Sequence, residues 1–165
     1  MMRAFSVIIC ACAFALAAIA QDAKPRADAG SVRPIAITGV KDAGEIWIAN
    51  LRTYPAMLVP VTQQTDKGPM SATFKGALLW QVIDRAGWVN GAAKNAQIRH
   101  VIIVTGKDGY AAAISDGEID PKLENKQVIL AYEKDGKPLD APRLVVPGDL
   151  HGSRGVQDVV SIAVQ

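Results

Sequence analysis

The feature that most limits what this chain can fold into is the segment Val128–Val164, in which strand-like runs are cut apart by strong turn signals. Val128-Ile129-Leu130-Ala131-Tyr132 is an apolar run of strand length, and Lys134-Asp135-Gly136-Lys137 follows it. Asp-Gly between two such runs favours a tight turn whose twist matches that of paired strands. The answering run, Arg143 to Val146, is stopped by Pro147-Gly148. A glycine-punctuated loop comes next, Gly152-Ser153-Arg154-Gly155, and then a closing strand over Val159–Val164. A hairpin and a further strand this close together require a sheet.

The preceding residues add strands and one helix. Ile35–Thr38 is predicted as the first strand, closed by Gly39. Glu45–Leu51 fits either a strand or a short helix, and Tyr54-Pro55 ends it in both cases. Ala56–Thr65 is rich in β-branched residues and reads as a strand. Pro60 has no N–H for a ladder, which places that strand at a sheet edge or bulge. Asp66-Lys67-Gly68-Pro69 is a turn. A helix is predicted over Ala77–Ala86, because Leu78, Leu79, Val82, Ile83 and Ala86 form one apolar stripe. Gly87 suits its C-terminal cap, and Trp80 and Trp88 read as packing residues at its flank and end. Ile98–Thr105 is the next strand; its unbroken run Val101–Val104 predicts cover on both faces. Asp108-Gly109 turns the chain back into a strand over Tyr110–Ile114. Ser115 is the expected N-cap of a short helix, with Glu118 at the capping-box position and Pro121 limiting it. The sum is an α+β domain, a β-rich mixed sheet with one main helix.

The N-terminus has the pattern of a secretory signal peptide over residues 1–20. Arg3 precedes the apolar run Ala4–Ala17, and Ala18-Ile19-Ala20 offers a small-residue cleavage site. The run is short for a membrane span. A flexible leader is expected over 21–34 and a single domain over 35–165, in the periplasm or secreted, with no membrane association after cleavage. The only cysteines, Cys10 and Cys12, lie in the signal segment, so the domain has no thiol, disulfide or cysteine metal ligand. A net charge of +2 gives no support for a nucleic-acid or membrane-surface partner.

Leu130 to Glu133, Pro138-Leu139, Arg143 to Gly148 and Gly152 to Val156, in that order, resemble the molybdopterin-binding domain of the sulfite oxidase family. That family has a Leu-Ala-Tyr-Glu strand, a turn ending in Pro-Leu, then Arg with apolar residues and Pro-Gly, and then Gly-x-Arg-x-Val-Lys-Trp. Weaker similarity reaches back to about Phe74. The resemblance implies the family's sheet fold, a molybdopterin cofactor and an oxidoreductase or electron-transfer role. The positions it points to are Arg143, Gly152, Ser153, Arg154, Gly155 and Val156. The chain departs from the pattern in its chemistry. The family's molybdenum-ligating cysteine has no counterpart, a family histidine is replaced by Pro138, and Gln157-Asp158 stands for Lys-Trp. Molybdopterin proteins of the family are exported folded through a twin-arginine leader, whereas this leader carries the single Arg3. No metal is expected.

Read for their own chemistry, Arg143 and the loop Gly152–Gly155 outline an anion site. The small residues let backbone approach a ligand, and a guanidinium binds carboxylate or phosphate through its fork. The same arginines could instead pair with Asp140, Asp149 or Asp158 and fix the loop. His100, beside an apolar strand, reads as a packed residue, and His151 lies in the loop. Asp116, Glu118 and Asp120 have the spacing of a solvated short helix. Two function classes follow. One is an exported, sulfite oxidase-like domain, catalytically uncertain, acting as a redox component with a periplasmic redox partner. The other is a non-catalytic periplasmic binding domain for a small anionic ligand or a protein.

Overall fold

The computed structural model describes residues 33–89 and 94–165, so the expected signal peptide and residues 21–32 of the leader lie outside the described residues. The described strands are β1 (Ile35–Thr38), β2 (Gly44–Ile46), β3 (Ala56–Thr65), β4 (Gly68–Leu78), β5 (Val101–Gly106), β6 (Ala111–Ser115), β7 (Ile129–Lys134), β8 (Lys137–Val145) and β9 (Val159–Val164). The helices are α1 (Ile48–Leu51), α2 (Leu79–Ala86) and α3 (Asp116–Ile119), with 3-10 turns at Ala96–Arg99 and Gly152–Arg154. The α+β class holds, with α2 as its main helix. The strands divide between two sheets: a five-stranded one in the order β2-β1-β9-β5-β6 and a four-stranded one in the order β3-β4-β7-β8. The first is mixed, because β1 runs parallel to β9.

The Asp135-Gly136 turn joins β7 to β8 with both residues at positive φ, 49° and 75°. That geometry twists in the sense that paired strands require. Pro60 sits on β3, which is an edge strand of its sheet. The ambiguous stretch 45–51 is both of its alternatives in sequence: β2 ends at Ile46 and α1 starts at Ile48. Between them the Trp47 N–H donates to Asn50 Oδ1 at 2.8 Å.

Three expectations need correction. Gly68 and Pro69, expected in the 66–69 turn, belong instead to β4, which begins at Gly68 and runs without a break into the predicted helix. Ala77 and Leu78 therefore belong to β4, and α2 starts at Leu79. Leu78 packs into a second cluster on the far side of the four-stranded sheet, so the two leucines serve different cores. Third, the run Val101–Val104 is not covered on both faces. Ile102 and Val104 are fully buried, while Val101 is 38% exposed. The doubly covered run is β7 instead, where Ile129, Leu130, Ala131 and Tyr132 are all buried.

The main core lies among the five-stranded sheet, α2 and one face of the four-stranded sheet, and takes in Leu130, Tyr132, Leu144 and Val146. The second core is made by the four-stranded sheet against itself: Val59 and Val61 of β3, Phe74 of β4, Ile129 and Ala131 of β7, and Val145 of β8. The two edge strands line one small cavity, through Val61 of β3 and Val145 of β8, so the sheet curls. Register shifts at Lys75/Gly76 and Ala131/Glu133 provide the bend. At the first, a Cβ on residue 76 would lie 2.3 Å from the Leu130 carbonyl oxygen, so glycine is required there. The curl brings the end of β3 to the segment after β8, where the Gln64 N–H donates to the Leu150 carbonyl at 2.8 Å.

The described domain has no thiol, so apolar packing carries much of its stability. Leu79 and Val82 are 0% and 1% exposed in the main core. Leu79→Ala or Val82→Ala should each cost about 2–4 kcal/mol in chemical denaturation, the usual range for deleting buried methyl groups. A loss below roughly 0.5 kcal/mol for both would contradict the core position of α2.

Candidate functional site

Arg143 lies on β8 directly opposite Ala131, and cross-strand partners share a face of the sheet. Ala131 faces the second core, so Arg143 enters the concave side of the curled sheet at its rim. Its guanidinium carbon stands 5.4 Å from the centroid of the Phe74 ring. The site is a small cavity of about 10 Å³ bounded by Val61, Gln63, Phe74, Arg143 and Gly155. Among the described residues Arg143 pairs with no carboxylate: none of Asp140, Asp149 or Asp158 reaches it. Burial without a counter-charge holds its pKa below the ordinary guanidinium value.

The glycine loop covers this cavity. The Leu144 N–H donates to the Val156 carbonyl at 2.8 Å, and the Gly155 N–H to the Gly152 carbonyl at 2.9 Å. A Cβ at Gly155 would fall 3.1 Å from the Gly152 carbonyl oxygen and 3.6 Å from Arg143 Nη2. One at Gly152 would fall 2.9 Å from Gln63 Oε1. The loop thus approaches Arg143 and β3 because these residues are small. Ser153 contributes its carbonyl, which accepts a hydrogen bond from the Tyr110 hydroxyl. Val156 is fully buried in the main core and is a packing residue. His151 is exposed, with Nδ1 3.3 Å from the Gln64 carbonyl oxygen.

Arg154 has a different environment. Its Nε and Nη2 donate to the two oxygens of Asp149 at 3.0 and 2.6 Å, and Nη1 donates to Glu118 Oε1 at 2.9 Å. Glu118 also accepts from Lys126 Nζ at 3.1 Å and from the Ser115 N–H at 3.3 Å. Arg154 therefore links the loop to α3, and of the two guanidiniums Arg143 alone keeps its donors free of carboxylates among the described residues. The pairs with Asp149 and Glu118 hold Arg154 more firmly protonated than an ordinary arginine. Burial pushes the Glu118 pKa up, but the bonds from Arg154, Lys126 and Ser115 outweigh it and leave it below the usual carboxylate value.

Beside the loop, a surface cleft of about 510 Å³ is lined by Lys107, Asp108, Tyr110, Gly155, Gln157 and Asp158. Its formal charges are one positive and two negative, which disfavours a polyanion. The acids of α3 differ from expectation. Asp116 is 1% exposed and Asp120 is 8% exposed, so these two are not solvated. Acidic residues at this spacing read as a surface helix, and nothing local in the sequence signals their burial. Among the described residues no group of three His, Cys, Asp or Glu side chains could hold a metal ion, and no helix is long and apolar enough to cross a membrane.

No protein-family model matches the chain, and no curated protein matches it. Among solved structures it is similar to the sulfane dehydrogenase SoxCD from Paracoccus pantotrophus, with a TM-score of 0.64 and 15% sequence identity. The match covers 80% of this chain and 38% of that one. At this identity the likeness is one of fold, and the chain spans little more than a third of the longer protein.

The bonding of Arg154 predicts a structural effect. Arg154→Ala leaves Asp149 and Glu118 without their shared cation and should lower the thermal midpoint at pH 7 by several degrees. The pH dependence has a definite sign. Because the Glu118 pKa is lowered from 4.5, its contribution is present above that value and is lost as pH falls through the folded-state value. Glu118→Gln should therefore flatten the stability profile below pH 4.5, as read by thermal denaturation across the acid range.

Proposed function

We propose that the domain is an exported binding module on a sulfite oxidase-type molybdopterin-domain fold, and that it takes a carboxylate or similar oxyanion group of a ligand or protein partner at Arg143. The observation that carries this reading is the state of Arg143: half-buried, at a rim cavity, and without a carboxylate partner among the described residues. A desolvated guanidinium binds an oxyanion more strongly than a hydrated one, because its donors are already stripped of competing water. The apolar leader, with its small-residue cleavage pattern, supports export.

The residues do not fit a molybdopterin cofactor. The domain has no cysteine to ligate molybdenum. The second arginine of the family motif, Arg154, has its donors on Asp149 and Glu118. The cavity at Arg143 has room for about one water-sized group, so it takes a single oxygen of an oxyanion whose remainder stays outside, and is far too small for a pterin. In the adjoining cleft a pterin phosphate would meet Asp108 and Asp158. This chemistry favours the non-catalytic class over the redox class.

Calorimetry at low salt with formate, acetate and inorganic phosphate tests the reading directly. The wild type should bind at least one of them, and Arg143→Gln should weaken that binding by about ten- to a hundredfold, as expected for loss of one charge-assisted hydrogen bond. No heat with any of the three sinks the anion site. Elemental analysis of protein purified from its own host should find no stoichiometric molybdenum; one atom per chain would overturn the module reading.

A further inference from the structure

Asp116 is the most deeply buried acid of the described domain. It is 1% exposed, and neither carboxylate oxygen has a hydrogen-bond partner among the described residues. Two neighbouring segments carry similar groups: Nε2 of His100, just before β5, and Oε1 of Gln81, on α2, which packs against α3, are also buried without partners among the described residues. His100 and Asp116 meet one step beyond the Val101–Ser115 pair of the β5–β6 ladder, where the Asp116 N–H donates to the His100 carbonyl at 3.1 Å. The Trp88 ring packs on the imidazole with centroids 5.6 Å apart.

A carboxylate removed from water and left unbonded strongly disfavours its ionised form. Burial, and then the charge of Asp120, raise the Asp116 pKa from 3.8 to about 6, with His100 offsetting part of the rise. The remaining charged side chains on the elements packed around Asp116 have other engagements. Glu118 is bound by Arg154 and Lys126. Arg99, Asp84 and Arg85 are exposed, and Arg85 lies over the Tyr54 ring.

What makes this more than a local oddity is the length of α3. It has four residues, and Glu118 on it is bonded to the same Arg154 that anchors the loop over Arg143. We propose that Asp116 is a proton-operated latch. Neutral, it lets α3 seat against the core, so that Glu118 holds Arg154 and the loop stays closed over the Arg143 cavity. Ionised, it drives α3 outward and loosens the loop. The proposal rests on the binding reading of Arg143 only for what the latch controls. The sign follows from the raised value: the stabilising effect of the bound proton is complete below pH 3.8 and is lost as pH rises through about 6.

Carbon-13 and amide NMR of the leader-free protein between pH 4 and 8 tests this without any ligand, so a failure of anion binding at Arg143 does not obscure the result. The Asp116 carboxyl signal should titrate near pH 6, and the amide signals of Gly152, Ser153, Arg154 and Gly155 should move with the same midpoint. In Asp116→Asn those amides should stay still between pH 5 and 8, and the thermal midpoint at pH 7.5 should rise by several degrees over the wild type. An Asp116 signal titrating near the ordinary value of 3.8 overturns the latch. So do loop amides that ignore the Asp116 titration, or that move unchanged in the variant. The wild-type titration decides the matter by itself if the variant fails to fold.

Discussion

β7 has no face to give to water, and the architecture follows from that. Leu130 and Tyr132 belong to the main core, and Ile129 and Ala131 to the second. No helix among the described residues covers the second face; the sheet's own edge strand does, through Val59 and Val61. A flat sheet could not do this. The bend needs the two register shifts, and the first of them needs a residue without a Cβ at Gly76. The rim produced by that bend is where Arg143 emerges, half in the core and half out. The position of the candidate site is thus a by-product of burying β7.

The parts of this fold that were legible in the sequence were those with a local cause. Asp135-Gly136 specifies its own turn, Pro60 marks an edge, Gly87 ends α2, and Ser115 with Glu118 starts α3. The parts that were not legible depend on distant partners. Residues 68–78 have mixed polarity because β4 is exposed over its first half and central over its second, so no single period describes them. Val101–Val104 and Ile129–Tyr132 look alike as strings, yet one is covered on a single face and the other on both. Only the curl of the second sheet distinguishes them. The candidate site shows the same division. Its glycines and arginines stand out in the sequence, but whether an arginine is free or paired is decided by Glu118, 36 residues away from Arg154.

Two arginines eleven positions apart in one motif therefore do different work. Arg154 has exchanged hydration for three carboxylate bonds, and its contribution is to tie the loop to α3. Arg143 has given up part of its hydration without that exchange, with the Phe74 ring beneath it. An unpaired, desolvated cation opposes folding, whereas a paired one fixes geometry. At 15% identity the likeness to a sulfane dehydrogenase is one of fold, and the work of each arginine follows from the charges around it in this chain.

The position of β9 has a consequence for the order in which this molecule can assemble. It is the last of the described strands, yet it sits in the middle of the five-stranded sheet, between β1 and β5. Until it inserts, that sheet consists of two separate hairpins, β1–β2 and β5–β6, each with a bare edge. The four-stranded sheet is also two hairpins, β3–β4 and β7–β8, but they join through β4 with β7, and all four strands precede β9 in the chain. As the chain emerges from the ribosome, the curled sheet can form first. The other must wait for the final strand to close a loop of more than a hundred residues back to Ile37, a slow, long-range step during which both edges are open to mispairing.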